Sequence, residues 1–341
     1  MSKVSEFHHC SCPKSGIMAV SSRLRWSGDC LLLQYALRRL LWLVPTVLAV
    51  VSVAFFMVRL APGGPFDQEQ TLPPAVKANL DRAYGLDQPV GVQYERYLWA
   101  LAHGDLGPSL SDRDFTVNQL LAIGLPVSLA LGGMALLLTL IVGVPVGVGA
   151  ALWPGGRFDR MVGALALVAI AIPTYVVAPV LALGFGVYLR WLPVGGWEPG
   201  RWSDAILPVV SLALPSLAAV TRLVRASVLE ALHLPHVRTA HAKGLHPVTV
   251  IWRHVLPPAV SPVLSALGPT AAALLTGSLV VETLFGLPGM GRFLVQGALN
   301  RDYTLVLGKV IVYAVLVMGL NGLVDVLQVA LDPKLRQGLK R

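Results

Sequence analysis

Residues 121–152, which include LALGGMALLLTLIVGVPVGVGAAL, form an uncharged apolar run longer than a bilayer core requires. About 20 mostly apolar residues suffice to cross the hydrocarbon layer as a helix. Five further runs are similar, at about 40–60, 161–189, 205–224, 260–281 and 305–331. The chain of 341 residues is 55% hydrophobic and 13% charged, against roughly 25% charged in soluble domains. The pattern predicts an all-α polytopic membrane protein with about six transmembrane helices. Pro126, Pro145, Pro173 and Pro179 fall inside the runs and are read as kinks within a bundle. Gly143 and Gly147 have the spacing that lets two helices approach closely.

An even number of spans leaves both termini on one face. Arg38, Arg39, Arg157, Arg160, Arg222, Arg225, Arg238, Lys243 and Arg253 all fall on that face, with the basic C-terminal tail. Cytoplasmic loops carry the excess of Lys and Arg, so both termini are expected inside. The opposite face receives residues 61–118, which are rich in Asp and Glu. In that external loop Tyr94, Tyr97, Leu98 and Leu101 are expected to form one face of a lid packed on the bundle. The net charge of +9 is therefore assigned to membrane orientation and not to nucleic acid. Four parts follow: a disordered cytoplasmic extension over 1–35, the first span and external loop over 36–118, a core over 119–331, and a tail over 332–341. Cys10, Cys12 and Cys30 lie in the extension and offer neither a disulfide framework nor a metal site. The extension lacks the pattern of a secretory signal, and Met18 is an alternative start.

One polar segment stands out between the fourth and fifth runs, EALHLPHVRTAHAKGLHPVTVIWRHVLP over 230–257. Pro235 suits the first helical position, where its missing N–H is no loss. Gly244 suits the position just past a helix end. The boundaries predict a helix over 235–243, roughly 14 Å long. A helix that short needs a surface to dock on, and with the spans beside it, that surface is expected on a partner protein. Its five neighbouring histidines are read as solvated.

No nucleotide-cradling loop, zinc-protease helix or nucleophile elbow is present, so the chain has no visible energy source or catalytic centre. Among titratable groups in the runs, Asp325 follows Asn321 by one helical turn, and the two are read as an interhelical polar clasp. No Asp, Glu or His at matching depth completes a proton relay, which argues against a proton-coupled secondary transporter. Glu282 is read as an interfacial carboxylate that is also able to bond the N–H groups of the following turn, GLPGMG.

With these residues in hand, the sequence resembles the inner-membrane permease subunits of bacterial ABC importers. The family's cytoplasmic signature runs EAA, three residues, Gly, nine residues, I-x-L-P. Gly244 fits the Gly, Arg238-Thr239-Ala240 occupy the EAA slot, and His254-Val255-Leu256-Pro257 occupy the last. The Glu and Ile are absent, and RTAHAKGL is similar to the pattern of the peptide and nickel branch. RRLLWLVPTVLAVVSVAFFMVRLAPGGPF, the GPSL ending of the external loop, VETLFGLPGMGRFLVQGALNRDYTLVLG and LVDVLQVALDPKLR extend the likeness over about 36–336. The GPSL ending looks like the B-type subunit of oligopeptide permeases, with dipeptide or nickel permeases as the alternative.

The resemblance implies a type I ABC importer permease bundle with a cytoplasmic coupling helix. Pro235, Arg238, Thr239, Ala240, Lys243, Gly244, Leu256 and Pro257 would form the ATPase-coupling segment, with Arg238, Thr239 and Ala240 in a groove of the ATPase. It also implies a second homologous permease, two cytoplasmic ATPase subunits that use ATP and Mg, and an external peptide-binding protein. This chain would bind no cofactor.

Overall fold

The computed structural model describes residues 20–60, 73–112, 114–198 and 200–331. The tail over 332–341, the stretch 61–72, and Cys10 and Cys12 lie outside the described residues. Every long described element is a helix. The first, α1 (Val20–Leu60), is followed by the shorter helices α2 (Pro74–Ala83) and α3 (Val90–Ala102). Then come α4 (Val117–Leu152), α5 (Arg157–Ala171), α6 (Thr174–Leu181) with a π-helical end over Ala182–Tyr188, and α7 (Ser203–Leu232). The rest is α8 (Pro235–Ala242), α9 (Pro247–Val250), a π-helical turn at Ile251–Val255, α10 (Leu256–Leu284), α11 (Met290–Leu299) and α12 (Tyr303–Leu331).

Five stretches are long and apolar enough to span a membrane, or six if one bent pair is a single span. That pair is the run expected at 161–189. It is a helix to Ala171, a break at Ile172-Pro173, and a second helical piece inclined by 102°. Pro173 explains the break: its ring drives Ile172 out of the helical region, to φ −86° and ψ 119°. Of the extension expected to be disordered over 1–35, residues 1–19 lie outside the described residues, and from Val20 the chain is already helical in α1. No proline interrupts 20–44, and extending an existing helix is far easier than nucleating one.

At the centre, α4 packs along α7, and the small residues make this possible. A Cβ on Gly147 would stand 2.6 Å from the Thr221 carbonyl oxygen, and one on Gly143 would stand 3.3 Å from that of Leu217. Leu131, Ala178, Leu212, Leu274 and Val281 form a buried core across α4, α6, α7 and α10. Large apolar side chains such as Leu137, Ile141, Leu165 and Val180 instead point outward and are exposed, as lipid-facing residues are.

Among the described residues, the segment between α1 and α4 is tied to this bundle around Phe55 and around Asp302. Phe55 of α1 packs against Tyr94 and Tyr97 of α3, with ring centroids 5.3 and 5.6 Å apart. The second tie is Asp302, fully buried between α11 and α12. Its carboxylate accepts from the Leu110 and Ser111 N–H groups at 3.0 and 3.1 Å, from the Ser111 hydroxyl at 3.0 Å and from the Ser109 hydroxyl. It also accepts from the Thr304 hydroxyl at 2.9 Å and from the Leu305 N–H at 3.0 Å, which caps α12. Burial pushes this carboxyl upward, but the bonds from Ser109, Leu305, Ser111 and Thr304 outweigh it and hold the group below the ordinary carboxylate range.

A depressed folded value means that the clasp stabilises fully above the unfolded aspartate value of ~3.9 and fades as pH falls through the lower folded value. Proteolysis of the 105–116 loop in detergent-solubilised protein should therefore be slow at neutral pH and accelerate only in strong acid. Asp302→Ala should make it fast at neutral pH. In the centre, Gly147→Val should cost about 1–3 kcal/mol by overpacking, read as a lower melting midpoint, whereas Gly163→Ala, with open space around it, should not.

Candidate functional site

The polar segment folds as its sequence suggests at both ends. Pro235 opens α8, and Lys243 closes it. Gly244 then takes φ +73°, a left-handed conformation that favours glycine. The turn is a Schellman motif: the Gly244 N–H reaches the His241 carbonyl at 2.9 Å and the Leu245 N–H reaches that of Ala240 at 3.4 Å. The helix is one residue shorter than expected, because Lys243 is its cap.

Its docking differs from expectation. The apolar face of α8 is not left for a partner. Val237 and Ala240 are 0% and 4% exposed, packed with Val228, Ala231, Val250, Val255 and Ala259 of the chain's own bundle. Ala240 therefore does not project into any partner's groove. The spans do lie beneath α8, because α7 and the α9–α10 rod extend past the apolar runs and meet below it. The free face consists of Arg238, Thr239, His241, Ala242 and Lys243, all exposed.

Pro257 and Leu256 sit where the rod behind α8 changes register. Pro257 and Pro258 give no N–H, and a π-helical turn precedes them. In an α-helical ladder Pro258 would have served the His254 carbonyl. His236 of α8 takes that place, its Nε2 donating to the oxygen at 3.0 Å. His233, His236, His241 and His246 are exposed as expected and His254 is half-buried, but His233, His236 and His241 each bond a backbone carbonyl. Thus α8 is attached to both helices that flank it, by Val237 and Ala240 below and by His236 at the side.

Other polar contacts join neighbouring helices. At the end of the bundle that carries α8, Arg225 of α7 grips Asp159 of α5 with two bonds, one of them from Nη2 at 2.7 Å, and the Gly155 N–H adds a third at 2.8 Å. Arg225 was expected only as a charge marking the inner face. Asp325 of α12 pairs at 2.6 Å with Arg39 of α1. Asn321 faces elsewhere: a Cβ on Gly268 of α10 would come within 2.6 Å of its Oδ1. These two residues thus reach different helices and form two separate contacts.

At the end of the bundle opposite α8, Glu282 is fully buried within the protein and bonds the following turn, as its sequence allowed. Its Oε1 accepts from Ser128 of α4 at 2.7 Å, and its Oε2 accepts from the Gly291 N–H in the turn GLPGMG. Lys309, also fully buried, donates to the Met290 carbonyl. Asp, Glu and His are not the only side chains able to answer a buried carboxylate in a span. The lysine inside LVLGKVIVY was the missed signal. Among the described residues no His/Cys/Asp/Glu group has a metal-holding arrangement.

Comparison with known proteins places this architecture. The family described as binding-protein-dependent transport system inner membrane component matches residues 143–337, which include α8 and both its flanking helices. The oligopeptide transport system permease protein OppB of Salmonella typhimurium is 48% identical over 305 residues, covering 89% of this chain and 100% of that protein. OppB of Haemophilus influenzae is 44% identical over the same shares. The dipeptide transport system permease protein DppB of Bacillus subtilis is 36% identical over 89% of this chain and 98% of that protein. Among solved structures, an inward-facing form of the MetNI methionine ABC transporter superposes with a TM-score of 0.54 at 19% identity, over 63% of this chain and 97% of that one. That likeness supports the shared type I permease fold and nothing finer. The chain belongs to the family of binding-protein-dependent transport system inner membrane components.

Proposed function

We propose that this chain is one of two permease subunits lining the path of an ATP-driven importer of oligopeptides, and that α8 is its joint with a cytoplasmic ATPase. The observation that carries this reading is the two-sidedness of α8. One face is locked into the bundle by Val237, Ala240 and His236, and the other offers Arg238, Thr239 and Lys243 to the cytoplasm. A push on that free face is delivered to α7 and α10 without slack. Pro235 and Gly244 set the ends of the lever, and Leu256 and Pro257 set the register of the rod behind it.

The energy then comes from two ATPase subunits that bind ATP and Mg, and this chain holds no cofactor. Closure of the ATPases draws the coupling helices together and exposes the path alternately to each side, a two-state change biased by ligand. A second homologous permease completes the path, and an external binding protein delivers the peptide. The chain sits in the bacterial cytoplasmic membrane with both termini inside, in keeping with the basic residues around α8. The greater identity to oligopeptide than to dipeptide permeases supports the longer substrate.

Three outcomes check this reading. Arg238→Glu should insert normally but lower copurification with the ATPase and reduce peptide uptake by about tenfold, the scale of a reversed charge at a buried interface. Asp325→Asn should leave uptake within about twofold, since a half-exposed ion pair contributes ~1 kcal/mol or less. Loss of uptake with intact assembly would instead make Asp325 part of a relay. Competition of labelled tetrapeptide uptake by longer peptides, and not by dipeptides, should define the substrate class.

A further inference from the structure

The helix α11 is held by a buried cluster that the coupling account leaves unused. The Met290–Gly291 peptide opens α11, and both of its polar groups are taken by opposite charges. Glu282 of α10 accepts the Gly291 N–H, and Lys309 of α12 donates to the Met290 carbonyl. Ser128 of α4 closes the ring: its hydroxyl donates to Glu282 Oε1 at 2.7 Å and accepts the Met290 N–H at 2.9 Å. Glu282 and Lys309 are 0% exposed and Ser128 is 2% exposed.

The backbone is shaped to let the carboxylate in. A Cβ on Gly289 would overlap the Glu282 carboxylate, and one on Gly291 would stand 2.6 Å from its Oε2. On the α4 side, a Cβ on Gly124 would stand 2.9 Å from the Met290 nitrogen. Glu282 thereby acts as an N-terminal cap supplied by another helix, with its charge at the positive end of α11. Bare charges in a protein interior are costly, and these two are offset by the bonds each makes to the Met290–Gly291 peptide.

We infer that Glu282 and Lys309 are positioning residues for transport. They form a buried charge clamp, with Ser128 as its third arm, that makes α4, α10, α11 and α12 move as one body at the external end of the path. Motion that enters α10 through α8 then reaches the external end as displacement of α11 and is not dissipated by slippage between helices. The inference rests on the importer reading above.

The test uses the whole transporter in proteoliposomes, with uptake of a labelled tetrapeptide per ATP hydrolysed as the readout. A nitroxide at Leu299→Cys, which is 78% exposed at the end of α11, reports the mobility of that helix. Wild type must import the peptide, and its failure would sink the importer reading alone. Glu282→Gln and Lys309→Met should each lower uptake per ATP about tenfold and loosen the α11 label, while the double variant should recover to within about threefold with the label again immobile. A purely structural role would lower assembly and ATP hydrolysis in step with uptake and leave the ratio unchanged. Unchanged ratios in the single variants, or a double variant no better than either, would overturn the clamp. If the single variants do not accumulate, Ser128→Ala keeps both charges and decides the matter: about a threefold fall in uptake per ATP is expected, and the wild-type value would overturn the inference.

Discussion

In a bilayer, burying one apolar helix against another gains little, because lipid is as apolar as the helix it replaces. The relative placement of these helices therefore depends on close approach of small residues and on a few polar contacts, some fully buried and some partly open to solvent. Gly143 and Gly147 bring α4 onto α7. Asp159–Arg225 and Arg39–Asp325 fasten helices near the end that carries α8, and Glu282–Ser128, Lys309–Met290 and Asp302–Ser109 fasten elements near the opposite end. Each contact joins elements distant in sequence, and most leave no buried group unpaired.

This arrangement suits a part that must move without deforming. Apolar faces slide over one another at small cost, whereas a satisfied buried polar contact breaks only by leaving its partners unpaired. Under the proposed function, the fully buried contacts hold their helices together during motion, with α8 as the handle at the other end of the bundle. Its short length does not make it a weak lever, since Val237 and Ala240 are set into the bundle and His236 occupies a carbonyl that Pro258 leaves open.

Much of this was legible in the residues. The apolar runs located the spans, Pro235 and Gly244 bounded α8 to within one residue, and the glycine spacing marked the α4–α7 contact. What was not legible depended on tertiary partners. Ala240 reads as a small residue on a polar helix, and only the fold reveals that it faces inward. Pro173 signalled a kink but not a turn of 102°. Asp302 and Ser109 are distant in sequence, and nothing local tells which loop a buried carboxylate will collect. Lys309 was visible as a lone cation in an apolar run, yet its partner lay on another helix.

The central claim is that the outward face of α8, and not its inward face, carries the load from the ATPase. Single cysteines at Thr239 and at Ala240, tested for disulfide cross-linking to cysteines along the ATPase groove in assembled transporter, address it directly. The account predicts an ATP-sensitive cross-link from Thr239→Cys and none from Ala240→Cys. A cross-link from Ala240→Cys alone would contradict it, because the helix would then be seated with its buried face toward the partner.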